Sequence, residues 1–152
     1  MRVGARSDYA LRALCELASR RVDHPVSAED LARAQDVPVR FLHPILRDLR
    51  DAEVLRSVRG RSGGWVLVRP AAAVTLAEVV RAVDGPLAQV QGVGAEDLDF
   101  AGAAAGLREV WVAVRASLRD VLERTTLADV VAGRLPAHVR SLLAAEDAWR
   151  TR

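Results

Sequence analysis

The stretch from residue 27 to residue 69 constrains this chain more than any other. Ser27-Ala28-Glu29-Asp30 has the form of a capping box, with Asp shorter than the usual Glu or Gln, and Leu31, Ala32 and Ala34 carry the helix it opens to about Gln35. Asp36-Val37-Pro38 then interrupts it, because proline forces the residue before it out of helical geometry. From about Arg40 to Ala52, the apolar residues Phe41, Leu42, Ile45, Leu46, Leu49 and Ala52 recur at amphipathic-helix spacing. Arg40, His43, Arg47, Asp48 and Asp51 fall on the other side. Two β-prone runs follow, Val54 to Val58 and Trp65 to Val68, joined by Arg59-Gly60-Arg61-Ser62-Gly63-Gly64. That is a hairpin signal with a glycine-rich, cationic tip. Two helices, a turn and an arginine-tipped hairpin spell a winged helix-turn-helix, which lays one helix in the major groove and the wing along the backbone or minor groove.

The flanking sequence is also mainly helical. A first helix is predicted from about Ser7 to Arg20 with Ser7 as N-cap and Tyr9, Leu11, Leu14, Cys15, Leu17 and Ala18 inward, followed by a turn from Arg20 to Pro25. After Arg69-Pro70 closes the wing, Thr75-Leu76-Ala77-Glu78 reads as a full capping box for a short helix with Leu76, Val79, Val80 and Val83 inward. Asp84-Gly85-Pro86 stops it. Residues 87–106 hold four glycines and the acidic cluster Glu96, Asp97 and Asp99, and read as a loop with at most a short turn of helix.

From Leu107 the pattern is the most regular in the chain: Leu107, Trp111, Val114, Leu118, Val121 and Thr125 alternate steps of four and three, a heptad spacing. A helix over these residues would be about 28 Å long. A small winged helix has little surface to cover such a stripe, so a second copy of the same helix is its natural partner. Thr126 to Val131 reads as a short helix ended by Gly133, and Pro136 opens a last one with Val139, Leu142, Leu143 and Trp149 on one side. The expected fold class is therefore mainly α: a winged helix-turn-helix with a two-stranded β-wing over residues 1–86, a loop over 87–106, and a long dimerisation helix with C-terminal helices over 107–152.

The charge of +2 is unevenly spread. Residues 1–69 hold 13 Arg against 9 acids, and residues 70–152 hold 9 against 11, so the positive field lies with the helix-turn-helix, as phosphate binding requires. All 22 basic residues are Arg and there is no Asn, which reads as the codon bias of a GC-rich genome. The single cysteine makes no internal disulfide and points to the cytoplasm. No apolar run reaches the roughly 20 residues of a membrane span, and Met1 to Asp8 lacks the apolar core of a signal peptide.

The DNA-contact candidates are Arg40, His43, Arg47, Arg59 and Arg61, with Arg6 and Ser27 beside them. Arg40 and Arg47 suit bidentate guanine readout or phosphate contact; His43 suits a base contact or a solvated surface. Arg59 and Arg61 suit phosphate or the minor groove, while Gly60, Gly63 and Gly64 answer to turn geometry. The tip lacks the lysine and the strand-then-helix context of a nucleotide-binding loop. His24 and His138 have no ligand spacing, so no metal is expected, and Cys15 reads as a small core residue. The acidic cluster is a solvated loop, or, with Phe100 and the Trp111 end of the long helix, one wall of a pocket for a small-molecule effector. No catalytic triad, acid pair or metal motif can be assembled, which argues against an enzyme. The competing reading is a winged helix that binds a partner protein instead of DNA.

The chain resembles the Rrf2 family of bacterial transcription regulators, which includes an iron–sulfur-cluster regulator and a nitric-oxide sensor. The resemblance rests on Tyr9-Ala10-Leu11-Arg12-Ala13-Leu14, on Phe41-Leu42, Ile45-Leu46 and Leu49-Arg50, and on Val58-Arg59-Gly60, Gly63-Gly64-Trp65 and Leu67, with Trp65 where Tyr is commoner. Arg69-Pro70, Thr75-Leu76, Arg81-Ala82-Val83-Asp84-Gly85-Pro86 and Thr126-Leu127-Ala128-Asp129 extend it to about residue 131. It implies a homodimer of two winged heads joined by the long helix, bound to a palindromic promoter site and usually repressing. It also implies that Arg40, His43 and Arg47 face the groove and that Arg59 is the wing arginine of the minor groove. Two departures stand out. Redox-sensing members hold an iron–sulfur cluster with three cysteines in the loop before the long helix, whereas residues 87–106 contain none, so no cofactor is expected. Pro44 lies inside the recognition helix, which predicts a late start or an irregular first turn.

Overall fold

The computed structural model describes residues 3–20 and 24–150. Leu14, Leu31, Leu42, Ile45, Leu46, Leu49, Leu55 and Leu127 are each less than 2% exposed and form one core contributed by five of the chain's elements. The elements are α1 (Ala5–Ser19), α2 (Ala28–Gln35), α3 (Val39–Asp51), β1 (Leu55–Val58), β2 (Gly64–Leu67) and α4 (Leu76–Asp84). They continue with β3 (Gln89–Val90), β4 (Val93–Gly94), α5 (Leu107–Leu122), α6 (Leu127–Val131) and α7 (Ala137–Leu143). Burial of each large aliphatic side chain is worth about 1.5–3 kcal/mol. The winged head is thus held by α1, α3 and α4 packing on one another, with α6 returning to lie on α1.

Local chemistry sets the boundaries. The Asp30 N–H donates to the Ser27 hydroxyl at 3.0 Å, capping α2, and Asp36 leaves it in the left-handed conformation. β1 and β2 pair antiparallel from Leu55 opposite Leu67 to Val58 opposite Gly64. Val26 adds a bridge to Trp65, with N–H···O bonds of 3.1 and 2.9 Å in the two directions. Gly64 is required at that crossing, because a Cβ there would lie 2.5 Å from the Val26 carbonyl. The wing is therefore fastened to the chain just before α2, which fixes its direction relative to the helix-turn-helix.

Several sequence expectations are corrected. The first helix begins two residues early, with Gly4 as N-cap; Ser7 is buried, and its hydroxyl donates to Asp84 on α4. The turn expected from Arg20 to Pro25 lies partly outside the described residues, at positions 21–23. Recognition helix α3 runs unbroken through Pro44, which faces solvent, so water can satisfy the Arg40 carbonyl that the proline cannot reach. Phe41 (48% exposed) and Ala52 do not join the core side of α3.

The Thr75 box is half formed. Glu78 donates its N–H to Thr75, but its carboxylate is taken by Arg69 rather than by the Thr75 N–H. The reciprocal box is instead at Thr126 and Asp129. Residues 87–106 contain the small antiparallel hairpin β3–β4 and two short 3₁₀ turns, more order than a loop. Trp149 lies beyond α7, 77% exposed, its indole N–H donating to the Leu143 carbonyl.

Candidate nucleic-acid interface

At 3.6 residues per turn, Arg40, Pro44, Arg47 and Asp51 form one ridge along α3, opposite the buried Leu42, Ile45, Leu46 and Leu49; all four ridge residues are exposed. The Arg40 guanidinium stacks over the Phe41 ring, 4.9 Å from its centroid, a cation–π contact that leaves its N–H edges open. His43 sits off the ridge, half-buried toward α2, with Nε2 3.7 Å from a Glu29 carboxylate oxygen. Helical geometry thus gives Pro44 a more central place on the outer face than His43, which sequence reasoning had favoured.

The arginines divide sharply by partner. Most guanidiniums are paired, among them Arg50 with Asp51, Arg69 with Glu78, Arg81 with Glu123 and Arg124 with Asp120. Among the described residues, Arg40, Arg47, Arg56, Arg59, Arg61 and Arg134 have neither a carboxylate nor a carbonyl partner. Five of the six lie on α3 and the wing. Arg56, exposed on β1, was missed in the sequence; its place next to the buried Leu55, on the alternate face of the strand, is the signal that could have found it.

Two other candidates have internal tasks. Arg6 donates from Nε to the Val83 carbonyl at 3.2 Å, pairs with Asp48 on α3, and lies 3.7 Å from Asp84. It braces α1 and α4 against the back of the recognition helix. The Ser27 hydroxyl is occupied by the cap of α2; its side-chain hydrogen bond with the Asp30 carboxylate is a separate contact and the leading cause of the lowered Asp30 pKa.

In this chain α5 has no buried residue along its 16 positions. Arg81 of α4 pairs with Glu123 just past its end, and Arg108 and Arg115 both bind Glu96, so one side of α5 is held to the body. Leu107 (42% exposed) and Val110 (52%) face outward, and Trp111, Val114, Leu118 and Val121 are half-buried. Thr125 departs from the expected stripe: it lies beyond α5, is 2% exposed, and its carbonyl accepts the Leu76 N–H. Its hydroxyl donates to the Val121 carbonyl, so it belongs to the protomer core and not to a dimer seam. The cleft between residues 96–105 and α5 is lined by Glu96, Asp99, Phe100, Arg108 and Val112, and Trp111 is not part of it.

A helix-turn-helix with a bare arginine ridge and a tethered arginine wing defines the class: a winged helix-turn-helix transcription regulator that binds DNA. The profile of the Rrf2 family, described as iron-dependent transcriptional regulators, matches residues 3–133. The chain belongs to the Rrf2 family. It is 48% identical over 142 residues to the HTH-type regulator Rv1287 of Mycobacterium tuberculosis, covering 93% of this chain and 88% of that one. Its fold matches the structure of CymR, the global cysteine regulator of Bacillus subtilis, with TM-score 0.74 and 28% identity over 88% of this chain and 98% of that one. It also matches T. potens IscR, with TM-score 0.71 and 26% identity over 100% and 93% of the two chains. These relatives are regulators, not enzymes.

The family's iron does not fit the donors present. Cys15, the single cysteine, is half-buried in α1, where burial raises its thiol pKa. Residues 87–106 offer neither Cys nor His, and no three His, Cys, Asp or Glu side chains among the described residues converge on a metal position. No helix among the described residues is long and apolar enough to cross a membrane.

Proposed function

We propose that this regulator is a cytoplasmic homodimer that binds a palindromic promoter site sequence-specifically and represses by occluding it. The observation that carries the reading is the clustering of unpaired guanidiniums on α3 and the wing, in a chain that pairs most of its other arginines. A buried or paired arginine has its charge spent within the protein; a bare row of them costs self-repulsion unless a polyanion receives it. In this reading Arg40 and Arg47 enter the major groove, Arg59 and Arg61 follow the wing to the backbone and minor groove, and Arg56 meets a flanking phosphate. Arg6 positions α3 from behind, and His43 lies at the edge of the interface.

Dimerisation through the outer face of α5 places two heads on two half-sites. Residues 1–86 with α6 make the head, α5 the connector. The cleft between residues 96–105 and α5 is the place for a small-molecule effector, since movement there passes through Arg108 and Arg115 directly into α5. The test is titration of a labelled duplex from the chain's own upstream region against a scrambled duplex, at stated salt. Two protomers per site and at least about 10³-fold preference for the authentic site are expected. One protomer per site, or equal affinity for both duplexes, refutes the proposal.

A further inference from the structure

The outer ridge of α3 is not uniformly polar. Between Arg40 and Arg47 stands Pro44, exposed, with no side-chain polar atom and no backbone N–H. Beside it opens a notch of about 380 Å³ walled by Ala5, Tyr9, Phe41, Pro44 and Ile45, with Arg6 at its edge. Phe41, 48% exposed, lies against it under the Arg40 guanidinium. On the ridge the apolar surface is therefore flanked by Arg40 and Arg47, which no acid among the described residues neutralises, whereas Arg6 is paired with Asp48. A partner seated on Pro44 must be polyanionic around its edge and apolar at its centre.

Base edges in the major groove meet that description at one atom only. The thymine C5-methyl is the single apolar group they present, and apolar side chains are its natural readers. Building on the DNA-binding reading, we propose that Pro44, backed by Phe41, reads one thymine methyl in each half-site, with Arg40 and Arg47 fixing the neighbouring base or phosphate on either side. Proline suits the task, because its ring cannot hydrogen-bond a competing base edge. At 44 a longer polar side chain would offer a bond to adenine or guanine; the ring offers contact alone.

The experiment removes the methyl and nothing else. A binding site is recovered from a random-sequence duplex pool with the full-length protein. Each thymine is then replaced by deoxyuridine in both half-sites at once, and affinity is measured at fixed salt. One thymine position should cost wild type about 15-fold, the worth of one buried methyl per half-site. With Pro44→Ser, which restores a helical N–H donor and removes the ring, the penalty at that position should fall below about twofold, while other positions behave as in wild type. Pro44→Ala, which keeps one methyl, should give an intermediate penalty.

A wild-type scan in which no methyl matters overturns the proposal, and it does so without any variant. A penalty that survives intact in Pro44→Ser overturns it as well. Failure to enrich any sequence from the pool strikes the DNA-binding reading itself, and is distinguished from both.

Discussion

Replacing Arg59 and Arg61 together by alanine should flatten the salt dependence of DNA binding while leaving the fold untouched. Both side chains stand exposed at the wing tip without a protein partner, so no internal contact is lost. Each phosphate neutralised by a cationic side chain contributes about 0.9 to the slope of log affinity against log salt. Five unpartnered guanidiniums on α3 and the wing of each protomer give about ten per dimer, and so a slope near −9. The double variant removes about four, leaving a slope near −5.4. Between 50 and 200 mM salt, wild type should then lose about 10⁵-fold in affinity and the variant about 10³-fold. Fluorescence anisotropy of a labelled operator duplex across that salt range reads both slopes. An unchanged slope would place the tip away from the phosphates and refute the assignment of the wing.

Other perturbations separate the roles of the remaining elements. Glutamate at both Val110 and Val114 should turn the dimer into a folded monomer by light scattering and lower operator affinity by about 10²-fold or more, through lost bivalency. Arg6→Ala removes the tie to the Val83 carbonyl and to Asp48; the melting temperature should fall by about 2–4 °C with the salt slope intact, whereas a phosphate contact would change the slope. Glu16 accepts hydrogen bonds from Gln35 and Arg20, in that order of effect, which hold its pKa below the ordinary value. A depressed carboxylate contributes stability above its unfolded pKa of about 4.3 and loses it as pH falls through the lower folded value. Glu16→Gln should therefore melt below wild type at pH 7, and the gap should close on acidification below about pH 4; a constant gap would assign the loss to packing.

The head of this molecule was legible because its signals are local. The three-and-four spacing of Leu42, Ile45, Leu46 and Leu49, the turn at Pro38 and the glycine-rich tip each act within a few residues, and all appear in the structure. What the sequence concealed lies in contacts between distant positions. Ser7 looked like a helix cap and Arg6 like a free cation because their partners, Val83 and Asp84, are 77 residues away. Glu78 looked like the far half of a capping box until Arg69, across the wing's end, claimed its carboxylate. The heptad count ran on to Thr125 because periodicity alone does not mark where a helix turns back into its own core. Pro44 misled in the opposite sense: its general cost to helices is avoided on a solvated face, where the freed carbonyl meets water. Phe41 had the right spacing for the core and lies just outside it, in the notch beside Pro44.

The most direct test of two groove-reading heads carried on one α5 pair is a hydroxyl-radical footprint of the purified protein on its own upstream region. The account predicts two patches of protection on one face of the duplex, their centres about one helical turn or a multiple of it apart. A single patch, or an unprotected duplex at low salt, would contradict it.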